Sequence, residues 1–218
     1  MELRIANTLE GTLSLASVAA EGVRVGPGGP ELWGEIEALA ERYRARFGKA
    51  EPSGIPELAP ARELYRAGGI DPTKRRPSSE ALLRRVLQGK GLSRINNAVD
   101  ACNFCSLRFL LPIGLYDAAR IEGAEATVRR GGPGESYPGI GKEVVTLDEQ
   151  ILLSDAAGPF GNPSSDSFRT RVTEAAAALL WVIFAPAGYD PKALRAHAEF
   201  SRTWIEKACG GSARILCQ

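Results

Sequence analysis

The 218-residue sequence holds one histidine, one methionine and four cysteines, and each scarcity removes a class of function. With His197 as the sole imidazole, no histidine-rich metal site can be assembled. Cys102 and Cys105 have the CxxC spacing, but a tetrahedral zinc site needs four ligands and no second CxxC exists. Cys209 and Cys217 stand apart near the end of the chain. Scattered thiols fit a reducing compartment better than a disulfide framework. Long apolar runs are missing too, since AAAALLWVIFAPAG (175–188) is too short to span a bilayer. At the N-terminus, Glu2 precedes any apolar run and no basic segment leads it, unlike a secretory signal. These absences predict a cytoplasmic chain with no membrane partner. Phosphate-binding loops are absent as well. GESYPGIGKE (134–143) has Ser136 where the Walker pattern needs glycine and Glu143 where it needs Ser or Thr, and no GxGxxG follows a strand. No GxSxG nucleophile elbow occurs either. The expectation is no cofactor, and no means of driving an amino acid ligation with ATP.

What remains is ordinary globular composition, 44% hydrophobic and 24% charged, enough for one substantial core. The first 25 residues alternate as short strands interrupted by Gly11 and Gly22, and GPGGP (26–30) reads as a turn. Leu32, Trp33, Ile36, Leu39, Ala40, Tyr43 and Phe47 repeat at helical spacing up to Gly48. A short helix is expected at 61–67. A second should run from an N-cap at Ser78 to Gln88, and a third over 97–111, stopped by Pro112. Strands are expected at 113–117, 124–130, 143–147, 150–154 and 178–185. Asp190-Pro191 opens a last amphipathic helix. Elements come in runs rather than in alternation, which predicts an α+β fold with a mixed sheet, flanking helices and a single core. Residues 1–50 are expected to belong to the same compact unit as 51–218.

Charge is segregated although the net value is only +1. Between 62 and 94 lie nine basic residues (Arg62, Arg66, Lys74, Arg75, Arg76, Arg84, Arg85, Lys90 and Arg94) against three acids (Glu63, Asp71 and Glu80). The local excess of six positive charges suits a phosphate backbone, and Arg75-Arg76 sit on a proline-fixed bridge. A solvated helical face with ion-pair partners elsewhere is the plainer alternative. FGNPSSDSFRTRVTE (160–174) is rich in hydroxyls around Asp166, fit for a small polar ligand or for a surface turn. Cys102 and Cys105 share a helical face with Ala98, Ala101 and Phe109, which predicts buried packing. His197 lies beside the apolar stripe of the last helix, where packing is again its expected role.

Five blocks together carry a resemblance: GIDPTKRRPSSEALLRRVL (69–87), INNAVDACNFCSL (95–107), LPIGLYDAARIEG (111–123), Gly134-Glu135, and SSDSFRTRVTE (164–174) followed by LLWVIFAP. They resemble the editing domain, the paired third and fourth B modules, of the phenylalanyl-tRNA synthetase beta subunit, and its freestanding relatives most of all. The similarity spans roughly 55–205; residues 1–50 carry none of it.

The resemblance implies an α+β domain that hydrolyses the ester of a misacylated tRNA with a positioned water rather than a covalent nucleophile. It matches the family's Asn–Asp–Asn pattern to Asn96, Asp100 and Asn103. The family histidine falls at Gly114, and the family glutamate falls near Phe168, with Asp166 the nearest acid. The site it implies has Asp166 as the catalytic group and a pocket of Asn96, Asn103, Gly114, Tyr116, Ser165, Ser167 and Arg169. Lys74, Arg75, Arg76, Arg84, Arg85, Lys90 and Arg94 would hold the acceptor end of tRNA, and a homo-oligomer is left open. Two other readings stand beside this one: a non-catalytic RNA-binding module, and a small-molecule enzyme on the same fold.

Overall fold

A computed structural model describes residues 2–48, 50–141 and 144–216. In chain order the strands and helices are β1 (Glu2–Ile5), β2 (Leu13–Glu21), α1 (Pro30–Phe47), α2 (Ala59–Ala67), α3 (Ser78–Leu87), α4 (Asn97–Phe109), β3 (Ile113–Asp117), β4 (Glu125–Arg130), β5 (Ser136–Tyr137), β6 (Val145–Thr146), β7 (Ile151–Asp155), β8 (Gly158–Asn162), β9 (Ser165–Asp166), β10 (Ala178–Pro186), α5 (Pro191–Cys209) and β11 (Ser212–Leu216).

The layers are organised by β10. It lies in a four-stranded sheet ordered β11-β2-β10-β3, paired antiparallel to β2 along its whole length and to β3 over Leu179–Ile183. Strand side chains point alternately to opposite faces. Leu179, Trp181, Ile183 and Ala185 therefore enter a core made with α1, α3, α4 and α5. Leu180, Val182 and Phe184 enter a second apolar layer with Leu3, Val128, Leu153 and Phe160. Those last residues belong to a five-stranded sheet ordered β1-β4-β7-β8-β9. Its β1–β4 pair is parallel and the rest antiparallel, so the architecture is α+β with a mixed sheet. Burial on both faces explains why LLWVIFAP is an unbroken apolar run rather than an alternating one.

Several boundaries differ from expectation, among them the start of α2 at Ala59 rather than 61. Pro77, not Ser78, occupies the N-cap of α3, and Ser78 Oγ donates instead to the Pro163 carbonyl at 3.3 Å. Helix α4 stops two residues early because Leu110 turns left-handed, with φ 56° and ψ 31°. The strand expected over 143–147 is only Val145–Thr146, and residue 143 lies outside the described residues.

Candidate functional site

At the edge strand β3, Gly114 and Tyr116 project to the same face two residues apart. The Tyr116 phenol fills the room a side chain at 114 would need, since a Cβ there would collide with Oη and Cζ. A Cβ at Gly161 on β8 would collide with the same ring. Tyr116 is thus wedged between two glycines, fully buried, edge-on to Phe160 at 4.9 Å between ring centroids.

Asp166 arrives beside this wedge because β9 pairs it with Gly161. Asp166 is half-buried, and it accepts a long hydrogen bond from the Leu115 N–H, 3.5 Å to Oδ2. Burial pushes its pKa up to about 7; the Tyr116 hydroxyl and the Leu115 N–H pull the other way and do not win. The phenol influences the carboxyl, yet its hydroxyl makes no regular hydrogen bond among the described residues. No ion pair to Asp166 exists among the described residues. The Cys102 thiol, reaching from α4 toward the Ile113 carbonyl, is raised well above its usual pKa by burial, then by Cys105 and by Asp166 itself. Tyr137 on β5 is raised by burial and by Asp166, and its hydroxyl donates to the Ser165 carbonyl at 2.5 Å. Asp166, Tyr116, Cys102 and Tyr137 therefore form one cluster, drawn from four separate stretches of chain. Cys102 is buried as its apolar helical face requires, yet it also lies within electrostatic reach of the carboxyl.

The turn before Asp166 is tied to the basic bridge. Asn162 Oδ1 accepts from the N–H groups of Ser164 and Ser165, both at 2.8 Å, an Asx arrangement that fixes the turn. Asn162 Nδ2 and Arg75 Nη1 both donate to Gln150 Oε1, at 3.4 and 3.0 Å. Tyr65 donates to the Pro163 carbonyl at 2.9 Å and accepts from Ser164 Oγ at 3.0 Å. Burial holds the Tyr65 phenol up at about 12, while Arg75 lowers it. One of the expected phosphate-binding arginines therefore stands beside the turn that carries Asp166.

Other expected pocket residues are engaged elsewhere. Arg169 makes two hydrogen bonds to the Asp155 carboxylate, at 2.8 and 2.9 Å, and a third to the Arg120 carbonyl. Ser167 is buried, its Oγ accepting from the Arg169 N–H at 3.1 Å. Asn96 is the N-cap of α4, accepting from the Val99 N–H at 2.9 Å. These three side chains are held by partners within the fold. Asn103 is half-buried on α4, one turn beyond Asp100. The Asp100 carboxyl is raised by burial, against the opposing Ile95 N–H, Arg94 and Trp33. Ser165 remains at the cluster, with its N–H on Asn162 and its Oγ on the Ser164 carbonyl.

The basic region is exposed at Lys74, Arg75, Arg76, Arg85, Lys90 and Arg94, with Arg84 half-buried. Arg62 is not free, since Glu80 holds it at 2.7 and 2.8 Å while also taking Arg76 at 3.5 Å. Arg85 turns to the Gly91 carbonyl, and Arg94 lies over the Trp33 ring at 4.5 Å. His197 packs on Phe109, ring centroids 4.1 Å apart, on α5. Cys105 and Cys209 are free buried thiols, and Cys217 lies outside the described residues. No helix among the described residues is long and apolar enough to cross a membrane.

Residues 61–203 match the B3/4 domain family, about two thirds of the chain. The chain belongs to the B3/4 domain family. Phenylalanine–tRNA ligase beta subunits are among the similar proteins. That of Streptomyces avermitilis is 33% identical over 125 residues, 56% of this chain and 14% of the subunit. That of Moorella thermoacetica is 38% identical over 82 residues, 37% of this chain and 10% of the subunit. The chain thus spans only a small part of these relatives. An N-terminal fragment of the phenylalanyl-tRNA synthetase beta subunit from Pyrococcus horikoshii shares the fold, with a TM-score of 0.52 at 16% identity, covering 98% of this chain and 50% of that one. The B3/4 match contains the whole Asp166 cluster and the basic bridge. It leaves out β1, β2 and α1, although β2 is hydrogen-bonded to β10 and α1 packs into the helical core.

Proposed function

We propose that this B3/4 domain binds the aminoacylated acceptor end of a tRNA and hydrolyses the ester when the amino acid is wrong. The observation that carries the reading is Asp166: a half-buried carboxyl near Tyr116, Cys102 and Tyr137, in no ion pair among the described residues, whose pKa burial pushes up to about 7. A general base works best with a pKa near the operating pH. In the step proposed, the Asp166 carboxylate takes a proton from a water whose oxygen attacks the ester carbonyl carbon. The bond from that carbon to the ribose oxygen breaks, the oxygen leaves with a proton, and amino acid and tRNA separate. An aminoacyl ester is already activated, so positioning supplies much of what catalysis requires. Arg75, beside the Asp166 turn, and Arg76, Lys74, Arg84, Arg85, Lys90 and Arg94 beyond it would hold phosphates. The relatives' place in translation supports a cytoplasmic setting.

One observation favours a second reading, a tRNA-binding module without catalysis. The Tyr116 ring occupies the space at Gly114, the position where the family resemblance implies a histidine. The deciding experiment is deacylation of a panel of purified aminoacyl-tRNAs, followed for free amino acid alongside tRNA binding. Release by the parent chain, lost in Asp166→Asn with binding intact, is the expected result. Binding without release from any member of the panel would replace hydrolysis with the module. Reversing Arg75 and Arg76 to Glu should weaken binding and flatten its salt dependence, each lost phosphate contact lowering the log–log slope by somewhat under one unit. An unchanged slope would make the basic region a solvated face.

A further inference from the structure

A concave surface lies at the far end of α4, where α1, α4 and α5 meet. The groove has a volume of about 550 Å³ and is lined by Arg42, Tyr43, Arg46, Arg108, Phe109, His197 and Phe200 among others. That is within the size range of small-ligand sites. It begins about two helical turns beyond Cys102 along α4 and shares no residue with the Asp166 cluster.

Its walls are aromatic and its rim is cationic. The His197 imidazole stacks on Phe109 with 4.1 Å between centroids and 20° between planes, while its Nε2 meets the Tyr189 hydroxyl at 3.0 Å. Burial lowers the His197 pKa and Arg108 lowers it further, so the ring is a neutral stacking surface at pH 7. Phe200 stands edge-on to Phe109 at 5.6 Å. The Arg108 guanidinium lies over the Phe200 face at 4.6 Å, exposed and in no ion pair among the described residues. Arg42 is equally exposed and unpaired there, whereas Arg46 is paired with Glu57. The carbonyls at the end of α4 would repel an anion. Tyr43 covers two of them, donating to the Leu107 and Arg108 oxygens at 3.1 and 3.2 Å.

Stacked rings with guanidiniums at the rim are the arrangement that takes a nucleobase and its phosphate together. A plain apolar partner would leave Arg42 and Arg108 desolvated without compensation, and an inorganic anion would make no use of the rings. We propose that the α1–α4–α5 groove binds a nucleotide, its base on the Phe109–His197–Phe200 walls and its phosphate on Arg42 and Arg108. The nucleotide can come free or as an unpaired residue of an RNA strand. Four of the nine lining residues belong to α1, outside the B3/4 match, so the family resemblance alone does not describe the groove. The inference does not depend on hydrolysis at Asp166.

The test uses the intact chain and its single histidine, whose imidazole signals in NMR are unambiguous. AMP, a hexauridylate and inorganic phosphate are titrated separately. Saturable movement of the His197 signals by AMP or by the hexamer is expected, with phosphate far weaker. AMP alone acting points to a free nucleotide, and the hexamer alone to an RNA strand. Arg42→Glu combined with Arg108→Glu should weaken that binding about tenfold or more, as lost charge-assisted contacts do. Both sites are exposed, so the fold should persist, which a thermal melt checks. Arg75→Glu with Arg76→Glu should leave AMP binding unchanged, which separates this groove from the proposed acceptor-end surface. No movement of His197 by either nucleotide, or equal movement by phosphate, would overturn the proposal.

Discussion

Two carboxylates show how differently one protein can treat the same group. Glu135, in the turn after β4, is gripped by both amino nitrogens of Arg129 at 2.7 Å and accepts from the Gly132 N–H at 2.7 Å. The Arg129 hydrogen bonds hold its pKa down to about 2, overcoming burial. Asp166, in no ion pair among the described residues, is pushed up by burial to about 7. A carboxylate met by a guanidinium is scaffold. One raised by burial, with no ion pair among the described residues, is the kind of group that can take up a proton near neutral pH. Arg169 sharpens the contrast, since it lies three residues from Asp166 in sequence and yet pairs with Asp155.

The largest expected effect tests that contrast in the proposed reaction. Asp166→Asn should lower deacylation about a hundredfold or more, as removal of a general base does. Glu135→Gln should leave the rate nearly untouched, and a steep loss there would dissolve the distinction. For the parent, kcat/KM should rise with pH through a midpoint near the Asp166 value of about 7. A flat profile from pH 5 to 9 would remove Asp166 as the base.

Packing around Asp166 comes next. Gly114→Ala places a methyl where the Tyr116 ring already lies, and overpacking of this kind costs about 1–3 kcal/mol. The melting temperature should fall by several degrees; an unchanged value would mean that the ring moves aside readily and that the wedge is soft.

The pH dependence of stability separates the two groups further, since their contributions have opposite signs, and the smallest effect is that of Glu135. Glu135 is depressed when folded, so its contribution is full above its ordinary pKa and is lost as pH falls toward about 2. Asp166 is raised when folded, so its contribution is full below its ordinary pKa and is lost as pH rises through about 7. Denaturant titrations should show Glu135→Gln less stable than the parent at pH 6 by about 0.5–1 kcal/mol, the modest value of a partly exposed pair, with the gap closing toward pH 2. Asp166→Asn should flatten the parent's decline in stability between about pH 4 and 7. Curves that stay parallel across both windows would contradict these assignments.

The same physics decides what was legible in the sequence. The helices were readable, because burial against a core imposes apolar spacing on Leu32, Ile36 and Leu39 or on Leu194, Ala198 and Ile205. Strands β3 and β10 were readable as apolar runs of the right length. Strands β8 and β9 were not, since GPFGN and Ser165-Asp166 have little strand propensity and exist through pairing in the five-stranded sheet. β11 was hidden because SARIL is short and is defined by its β2 partner. At the site, the hydroxyl-rich stretch around Asp166 stood out by composition, whereas Tyr116 came only through the family resemblance. The diversion of Arg169 was not, because its partner Asp155 comes from another strand. Nor was the second neighbour of Cys102, since helical spacing reports only which face is apolar and not what is brought against it.

Strand β10 contributes alternate side chains to both apolar layers and hydrogen bonds to β2 and β3 on its two edges. Neither layer can open locally without stripping a face from a strand the other still needs. Its central amides, Leu180 to Ile183, should therefore exchange with deuterium only when the whole molecule unfolds, and so act as a gauge of global stability. Binding at the Asp166 cluster or at the α1–α4–α5 groove would slow that same exchange, so one set of peptide N–H groups can report occupancy on opposite sides of the fold.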